Sequence, residues 1–534
     1  MTNINRILVI QLARFGDFLQ TTPLLAALKF SYPRAHLSVM VSAGQKGLAA
    51  DNPDVDQVIP VDLSTLESLS ANPDIPLSHK LLLMHRKLGP LQALSFDLIL
   101  NLNMSRVAAL LSELPQAGFR EGPRLATDRR SLQPAPWNFF IMNLMSRRRL
   151  IRFNLVDLLS SYAANTANHA QGLQYRLPAE TSAAPWPGLG DSSSPGPLIG
   201  FQLGSRHRAR QWPAEHFAAL AALLAARHQA KIVFLGTEQE HDLGHAVRNS
   251  LSQQAPHLNK HLIDLMGRTS IPELAGVLSQ LDALVTTDTG TMHLAAAIGT
   301  PILGLFLGPA YCHETGPYGA GHLILQVDLE CSPCLENNPE CQDHRCGHLI
   351  TPEHALAGIQ WLLHKQQAGL PEPSRGIQTL VSSFDKFGVV FKPLIARSLT
   401  MSDVWSLAYR ETGRGFIRPG YHLDEAILLE ELSGFKPPLH ELPEQLSPDW
   451  GNPDTAPLLR IIQHLKQHGL VAQADRIMAD ATRVFSLACQ AHAKPRTLQS
   501  PPPDSPVSPR GQPAGPEKAQ GLDEPGNLTG SPVI

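Results

Sequence analysis

An alternation that occurs twice constrains this chain more than any other feature. Apolar runs the length of a buried strand are followed by segments with apolar residues at helical spacing. "RILVIQ" precedes "DFLQTTPLLAALKFSYP", and "AHLSVMVS" and "FDLILNLN" are further strands. Strands alternating with helices of this length predict parallel βαβ units, because a parallel strand is reached only by a crossover connection. From 179 to 197 the pattern gives way to "AETSAAPWPGLGDSSSPGP", whose Pro, Gly and Ser content reads as a linker. It then restarts in "PLIGFQLGS", "KIVFLGT", "LDALVTTD" and "PILGLFLG", with helices such as "PAEHFAALAALLAARHQ" between them. The expectation is an α/β chain with a first domain over 1–190 and a second over 191–370. A mainly helical extension over 371–493 follows, then a Pro-rich tail over 494–534 with too little apolar surface to order itself.

Two α/β units in series point to a ligand cleft between them, beyond the carboxyl ends of the strands. Lys plus Arg number 44 against 47 Asp plus Glu, a net charge of -3, which argues against a generically basic nucleic-acid binder. The apolar run Ile7 to Ile10 is too short for a signal peptide's core or a membrane span, so a soluble, cytoplasmic protein is expected.

Three loops at strand ends carry the chemistry. In "VIQLARFGDFLQTTPLL" a strand ends near Gln11 and Asp17 opens the next helix. A carboxylate there faces the cleft and can act as a general base; it can equally do no more than cap the helix. In "LVTTDTGTMHLAAAIGTPILGLF" a strand runs into Asp288-Thr289-Gly290-Thr291 and a helix follows. Free backbone N–H groups make that turn an anion site, Gly290 lets a phosphate approach, and His293 can donate to an anionic oxygen. An ordinary capped turn with a satisfied histidine fits the same residues. In "FQLGSRHRARQWPAEHF" Ser205, Arg206, Arg208 and Arg210 follow a strand end. Clustered arginines suit a diphosphate through charge-assisted, bidentate hydrogen bonds, although any one of them can be a solvated surface cation. Neither a Walker A pattern nor G-x-G-x-x-G occurs, which argues against a P-loop ATPase or a standard dinucleotide-binding dehydrogenase.

Taken in order, "ILVIQLARFGDFLQTTPLLAALKFSYP", "GSRHRARQWPAEHF" and "TTDTGTMHLAAAIGTPILGLFLGPA" resemble glycosyltransferase family 9, the ADP-heptose:lipopolysaccharide heptosyltransferases. The resemblance spans about residues 6–365. It implies a GT-B fold, two Rossmann-like domains facing a cleft, with the acceptor on the first and the nucleotide-sugar on the second. It also implies inverting transfer that uses neither a metal ion nor a cofactor. Carried over by position, the catalytic base falls on Asp17 and the phosphate-loop hydroxyl on Ser205. Arg210 stands where the family has a phosphate-binding lysine, keeping the charge and adding a planar fork. The motif residues fall on Asp288, Thr289, Gly290 and His293, and a nucleoside-contacting acid matches Glu240, with Glu238 as the alternative. The implied partners are an ADP-sugar and an anionic lipid-linked oligosaccharide at the cytoplasmic face of the inner membrane, with no nucleic acid. A family member using another nucleotide-sugar and a non-catalytic sugar-binding scaffold remain as alternatives.

Two further segments have double readings. "CSPCLENNPECQDHRC" holds Cys331, Cys334, Cys341 and Cys346, with His344 and His348 nearby, and fits either a structural zinc knuckle or reduced, redox-labile thiols. "WNFFIMNLMSRRRLIRFNL" sets Trp137, Phe139 and Phe140 beside Arg147, Arg148, Arg149 and Arg152. That stretch suits a membrane surface or an anionic glycolipid, or else packing against its own domain with a solvated basic end.

Overall fold

Ile7 to Ile10 form the heart of β1 (Arg6–Gln11), which pairs in parallel with a strand on each side and is buried from Ile7 onward. A strand covered on both faces has no use for polar alternation, which is why this run is continuously apolar. The computed structural model describes residues 4–163, 172–176, 189, 196–335, 341, 344–364, 375–385, 387–417, 423, 425–433, 454, 456–467 and 471–493. Most of the stretch read as a linker, and the tail over 494–534, lie outside the described residues.

The first sheet has the order β3-β2-β1-β4-β5, all parallel, with β2 at His36–Ser42, β3 at Gln57–Val61, β4 at Ser95–Asn101 and β5 at Gln116–Glu121. Its helices are α1 (Phe15–Ser31), α2 (Lys46–Ala50), α3 (Leu63–Ala71), α4 (Leu77–Gln92) and α5 (Arg106–Glu113). Successive strand residues point to opposite faces. Ile7, Val9, Val39 and Val41 therefore meet Phe18, Leu24 and Leu28 of α1, while Leu8, Ile10 and Ile99 share a second core with Leu91 of α4 and Leu111 of α5. A short hairpin, β6 (Arg124–Leu125) and β7 (Leu132–Gln133), leads to α6 (Pro136–Leu144) and α7 (Leu155–Ser160).

The second sheet has the order β10-β9-β8-β11-β12-β13-β14-β15. Its parallel part comprises β8 (Leu198–Gln202), β9 (Lys231–Leu235), β10 (Leu262–Asp264), β11 (Ala283–Thr286), β12 (Ile302–Phe306) and β13 (Leu323–Val327). The helices of this half are α8 (Ala214–His228), α9 (His241–Gln254), α10 (Ile271–Gln280), α11 (Gly290–Ile298), α12 (Cys312–Thr315), α13 (Cys346–Leu349) and α14 (Pro352–Leu363). Here the structure departs from the expected boundary at 370. The region read as helical opens with β14 (Ile377–Phe384) and β15 (Val389–Pro393), which extend the second sheet antiparallel. Only then come α15 (Met401–Ile417), α16 (Glu425–Ser433), α17 (Ala456–Gln467) and α18 (Val471–Ala493).

Both sheets reverse strand order at their first strand, between β1 and β4 and between β8 and β11. Those are the crevices where open parallel sheets take ligands. All three motif loops leave strands at these crevices.

The aromatic and basic stretch is used internally. Trp137 and Phe140 are buried, and α6 packs against α15 and α17. Arg148 pairs with Glu314, Arg152 with Asp403 at 3.1 Å and Glu431 at 3.3 Å, and Arg147 with Asp454 at 3.6 Å. The packing alternative holds for this segment; its cations are committed to partners within the chain. No helix among the described residues is long and apolar enough to cross a membrane.

Candidate active site

Asp17 sits in the first turn of α1, half-buried, on the wall of an open pocket of about 440 Å³ that also exposes Gln11, Asn103, Ser105 and Leu155. The Arg14 N–H donates to its Oδ2 at 2.9 Å, so Asp17 does cap its helix, with one carboxylate oxygen. The loop ahead of it is braced by two residues that sequence reasoning passed over. Gln11 donates from Nε2 to Thr21 Oγ1 at 3.1 Å and accepts at Oε1 from the Ala13 N–H at 3.2 Å and from Asn103 Nδ2 at 2.7 Å. Asn103 in turn accepts the Leu12 N–H at 2.7 Å.

The Asp288 turn reaches the same place from the second half. α11 begins at Gly290, and α1 packs directly against it. A Cβ on Gly16 would come within 3.2 Å of both the Gly290 Cα and His293 Cδ2, and one on Gly290 would stand 1.9 Å from the Phe15 ring. Two glycines thus let the starts of two helices approach closely, and they bring Asp17 beside His293. His293 is buried and its Nδ1 has no hydrogen-bond partner. Burial drives its imidazole down to about 4, while the Asp17 carboxylate pulls the other way.

Arg210 closes a short turn at Arg208–Arg210 and donates from Nη1 to Asp288 Oδ2 at 2.9 Å, and Thr315 Oγ1 donates to the same oxygen at 3.0 Å. Arg206 and Arg208 point outward and are exposed, so Arg210 alone of the three turns into the site. Thr291 Oγ1 donates to Gln202 Oε1 at 2.8 Å, and Thr289 and Thr286 share a hydroxyl contact at 3.1 Å. Ser205 is buried, with its carbonyl accepting from Gln211 Nε2 at 2.8 Å. Glu240 accepts the Thr237 N–H at 2.8 Å and lies against Gly204, where a Cβ would stand 1.9 Å from its Oε1. Its carboxylate is therefore next to Ser205, whereas Glu238 is exposed.

Behind Asp288 stands a group that no motif announces. Arg148 donates from Nε to Glu314 Oε1 at 3.1 Å, from Nη1 to the Cys334 carbonyl at 2.6 Å and from Nη2 to the Pro309 carbonyl at 2.9 Å. Burial raises the Glu314 carboxyl; Arg148 opposes that, Asp288 adds to it and Arg210 offsets it. One arginine of the first half thus holds the floor of the second half's site. The only sequence trace of Gln11 and Gln202 is a polar residue closing an apolar run, "VIQ" and "GFQ", at equivalent strand ends. Glu314 has none, and Arg148 shows only as one member of a basic run.

All four clustered cysteines, with His344, line one cavity of about 170 Å³ that His207 and Arg208 help to close. Cys341 Sγ lies 3.7 Å from His344 Nδ1, and burial is the chief cause raising the thiols of Cys334 and Cys346. Among the described residues no three His, Cys, Asp or Glu side chains are grouped to hold a metal ion.

A carboxylate on one rim and an arginine with a helix N-terminus on the other can remove a proton from one reactant and hold an anionic group of a second. A family model described as Glycosyltransferase family 9 (heptosyltransferase) matches residues 84–343. Lipooligosaccharide heptosyltransferase 2 of Haemophilus influenzae is 26% identical over 373 residues, covering 67% of this chain and 99% of that protein. Over these residues the chain is similar to glycosyltransferase family 9. Lipopolysaccharide heptosyltransferase 2 of Escherichia coli K12 is likewise 26% identical, over 388 residues, covering 68% of this chain and all (100%) of that protein. The solved glycosyl transferase family 9 structure from Veillonella parvula has a TM-score of 0.53 at 20% identity, covering 68% of this chain and 99% of its own. The two sheets are those of a GT-B fold, and with this likeness the chain is a glycosyltransferase.

Proposed function

We propose that this glycosyltransferase moves a heptose from ADP-heptose to the lipopolysaccharide core oligosaccharide, with inversion, and that Asp17 is the general base. One observation carries the reading: Asp17 and the Asp288–His293 turn meet across the Gly16–Gly290 approach. The names of the relatives support the sugar and the acceptor class.

The acceptor sugar enters the pocket beside Asp17. Its hydroxyl gives a proton to the carboxylate, and the oxygen attacks the anomeric carbon from the face opposite the nucleotide. The bond from that carbon to the diphosphate oxygen breaks, and the electron pair leaves with ADP. Negative charge grows on the diphosphate as this happens, so groups that meet it there lower the barrier. Arg210 brings its fork and α11 brings its free N–H groups to that charge, with the Ser205 hydroxyl beside them; Glu240 holds the nucleoside. Arg210 and the N-terminus of α11 supply the positive charge that a metal ion would otherwise bring. An anionic, lipid-linked acceptor puts the enzyme at the cytoplasmic face of the inner membrane.

The test is calorimetric titration with ADP, UDP and GDP in the presence of chelator, together with transfer assays on Asp17→Asn. Asparagine keeps the acceptor atom that caps α1 and loses the base. Transfer should fall by about 10²–10⁴-fold with ADP-heptose affinity nearly unchanged. Arg210→Ala should weaken ADP binding itself. Preference for UDP or GDP would move the donor to another sugar, and an Asp17→Asn enzyme with full turnover would remove the base assignment.

A further inference from the structure

The pocket beside Asp17 is walled by segments that leave the carboxyl ends of three strands. α1 follows β1, α3 follows β3 and the stretch 103–107 follows β4, and each lends side chains to the same cavity. Leu63 and Glu67 stand one turn apart on α3, which puts them on one helix face, and both line the pocket. Glu67 is exposed, and its carboxylate is bonded to no described residue. With Asp17 it gives the lining two acids.

The rest of the lining suits an uncharged ring. Met104 and Val107 are 41% and 45% exposed and, with Leu63, offer an open apolar surface. Ser105 accepts the Ala108 N–H at 3.1 Å and keeps its own hydroxyl proton to donate. Helix starts favour anions, but those at this edge are already matched with polar or acidic side chains. Asp17 lies in the first turn of α1, Asp62 accepts the Thr65 N–H at 3.0 Å at the head of α3, and Ser105 heads α5. Arg14, Lys46 and Arg106 leave the same edge, are exposed, and do not line the pocket. Hydroxyl groups can donate to the two carboxylates, and the C–H face of a sugar ring can lie on the apolar surface.

We propose that Glu67 sets acceptor specificity: it accepts hydrogen bonds from the hydroxyls of a neutral sugar ring and turns away a ring that carries its own carboxylate or phosphate. Hydrogen bonds to an ionised acceptor are the strong ones, and a neutral polyol can supply them. A ring with its own anion would set like charges against Glu67 and Asp17, and such juxtaposition discriminates strongly between ligands. The acceptor's anionic groups then belong to neighbouring rings outside this pocket. The proposal rests on the preceding functional reading only in calling this sugar the acceptor.

The experiment is calorimetric titration of the full chain, saturated with ADP, with three water-soluble oligosaccharides. One ends in an unsubstituted heptose, one in the same heptose bearing a phosphate, and one in a carboxylate-bearing sugar acid. Wild type should bind the first at least about 10-fold more tightly than the other two. Glu67→Ala should weaken the neutral sugar about 10–100-fold, the range for losing hydrogen bonds to a charged group. Glu67→Lys should reverse the preference, which a pocket that merely excludes bulk would not do. Unchanged ADP affinity in both variants will show that they are folded. Wild type that binds none of the three, or binds an anionic ring as well as the neutral one, would overturn the proposal. So would variants whose preference matches wild type. Transfer assays with the same sugars keep the two readings apart: Glu67→Ala should raise KM for the neutral acceptor with kcat little changed. Turnover that is indifferent to the charge of the terminal ring ends this proposal alone. Glu67-dependent binding of the neutral sugar with no transfer from ADP-heptose ends the heptosyltransfer reading alone.

Discussion

At the scale of single residues, the site depends on what is missing from two of them. Gly16 and Gly290 have no Cβ, and a side chain on either would meet the other helix. Gly16→Val would press on the Gly290 backbone and the His293 ring and push Asp17 out of line. A displacement of about 1 Å can cost on the order of 100-fold in rate. Steady-state kinetics should therefore show kcat lowered by about 10–100-fold with ADP affinity, measured by calorimetry, little changed; an unaltered kcat would mean that the two helices do not set the reacting geometry. His293 supports a second prediction. Its folded value of about 4 lies below the ordinary 6.5, so between those values the unfolded chain holds a proton that the folded one refuses. The stability tied to this residue is complete above about pH 6.5 and is lost as pH falls toward 4. Urea midpoints at pH 7.5, 6 and 5 should fall more steeply for wild type than for His293→Gln. Asp17, Asp288 and Gly290 were legible because strand ends, caps and glycines leave local patterns. Arg148 and Glu314 were not, because their roles exist only once distant segments meet.

At the scale of elements, the strands that could be read were the buried parallel ones, whose apolar runs are continuous. β14 and β15 escaped because they close the sheet's far edge antiparallel. β14, "IQTLVSSF", carries a buried Ser382 and only one buried apolar residue, so no periodicity marks it. The turn between these strands presses on α7. Gly388 lies against Asp157, where a Cβ would stand 1.9 Å from Oδ1, and Tyr318 donates its hydroxyl to that carboxyl at 2.7 Å. Burial pushes the Asp157 carboxyl up to about 7, reinforced by Asp385 and opposed by Tyr318, Arg410 and Arg414. The folded protein therefore holds a proton there from the ordinary carboxyl range up to about 7, and its stability declines as pH rises across that window. Asp157→Asn keeps an acceptor for Tyr318 and removes the charge. Calorimetric melts should put the variant level with wild type at pH 5 and above it at pH 8. A wild type that is the more stable at pH 8 would show the carboxylate to be stabilised in its charged form.

At the scale of the whole molecule, the helices after β15 act as a clasp between the two sheets. Arg152, from the first half, pairs with Asp403 of α15 and Glu431 of α16. Arg410 of α15 joins Glu431 to Asp385, which ends β14's excursion, at 2.6 Å each, and Arg414 meets Asp385 at 2.9 Å. Around this run of charges Trp405, Tyr409 and Phe485 are buried, and Tyr409 accepts the Leu458 N–H at 2.9 Å, tying α17 in. Such a network is worth little against a well-packed apolar substitute, yet removing one member strands its partners in low dielectric. Arg410→Met leaves two carboxylates, Asp385 and Glu431, without their shared cation. Urea unfolding should show a loss of about 3–5 kcal/mol. In Arg410→Met/Glu431→Leu one of the two carboxylates that lost this cation is gone, so part of that loss should return. A single variant within about 1 kcal/mol of wild type would place these arginines among surface pairs, whose usual worth is no more than that. The clasp would then have to be sought in the apolar contacts of Trp405 and Phe485 alone.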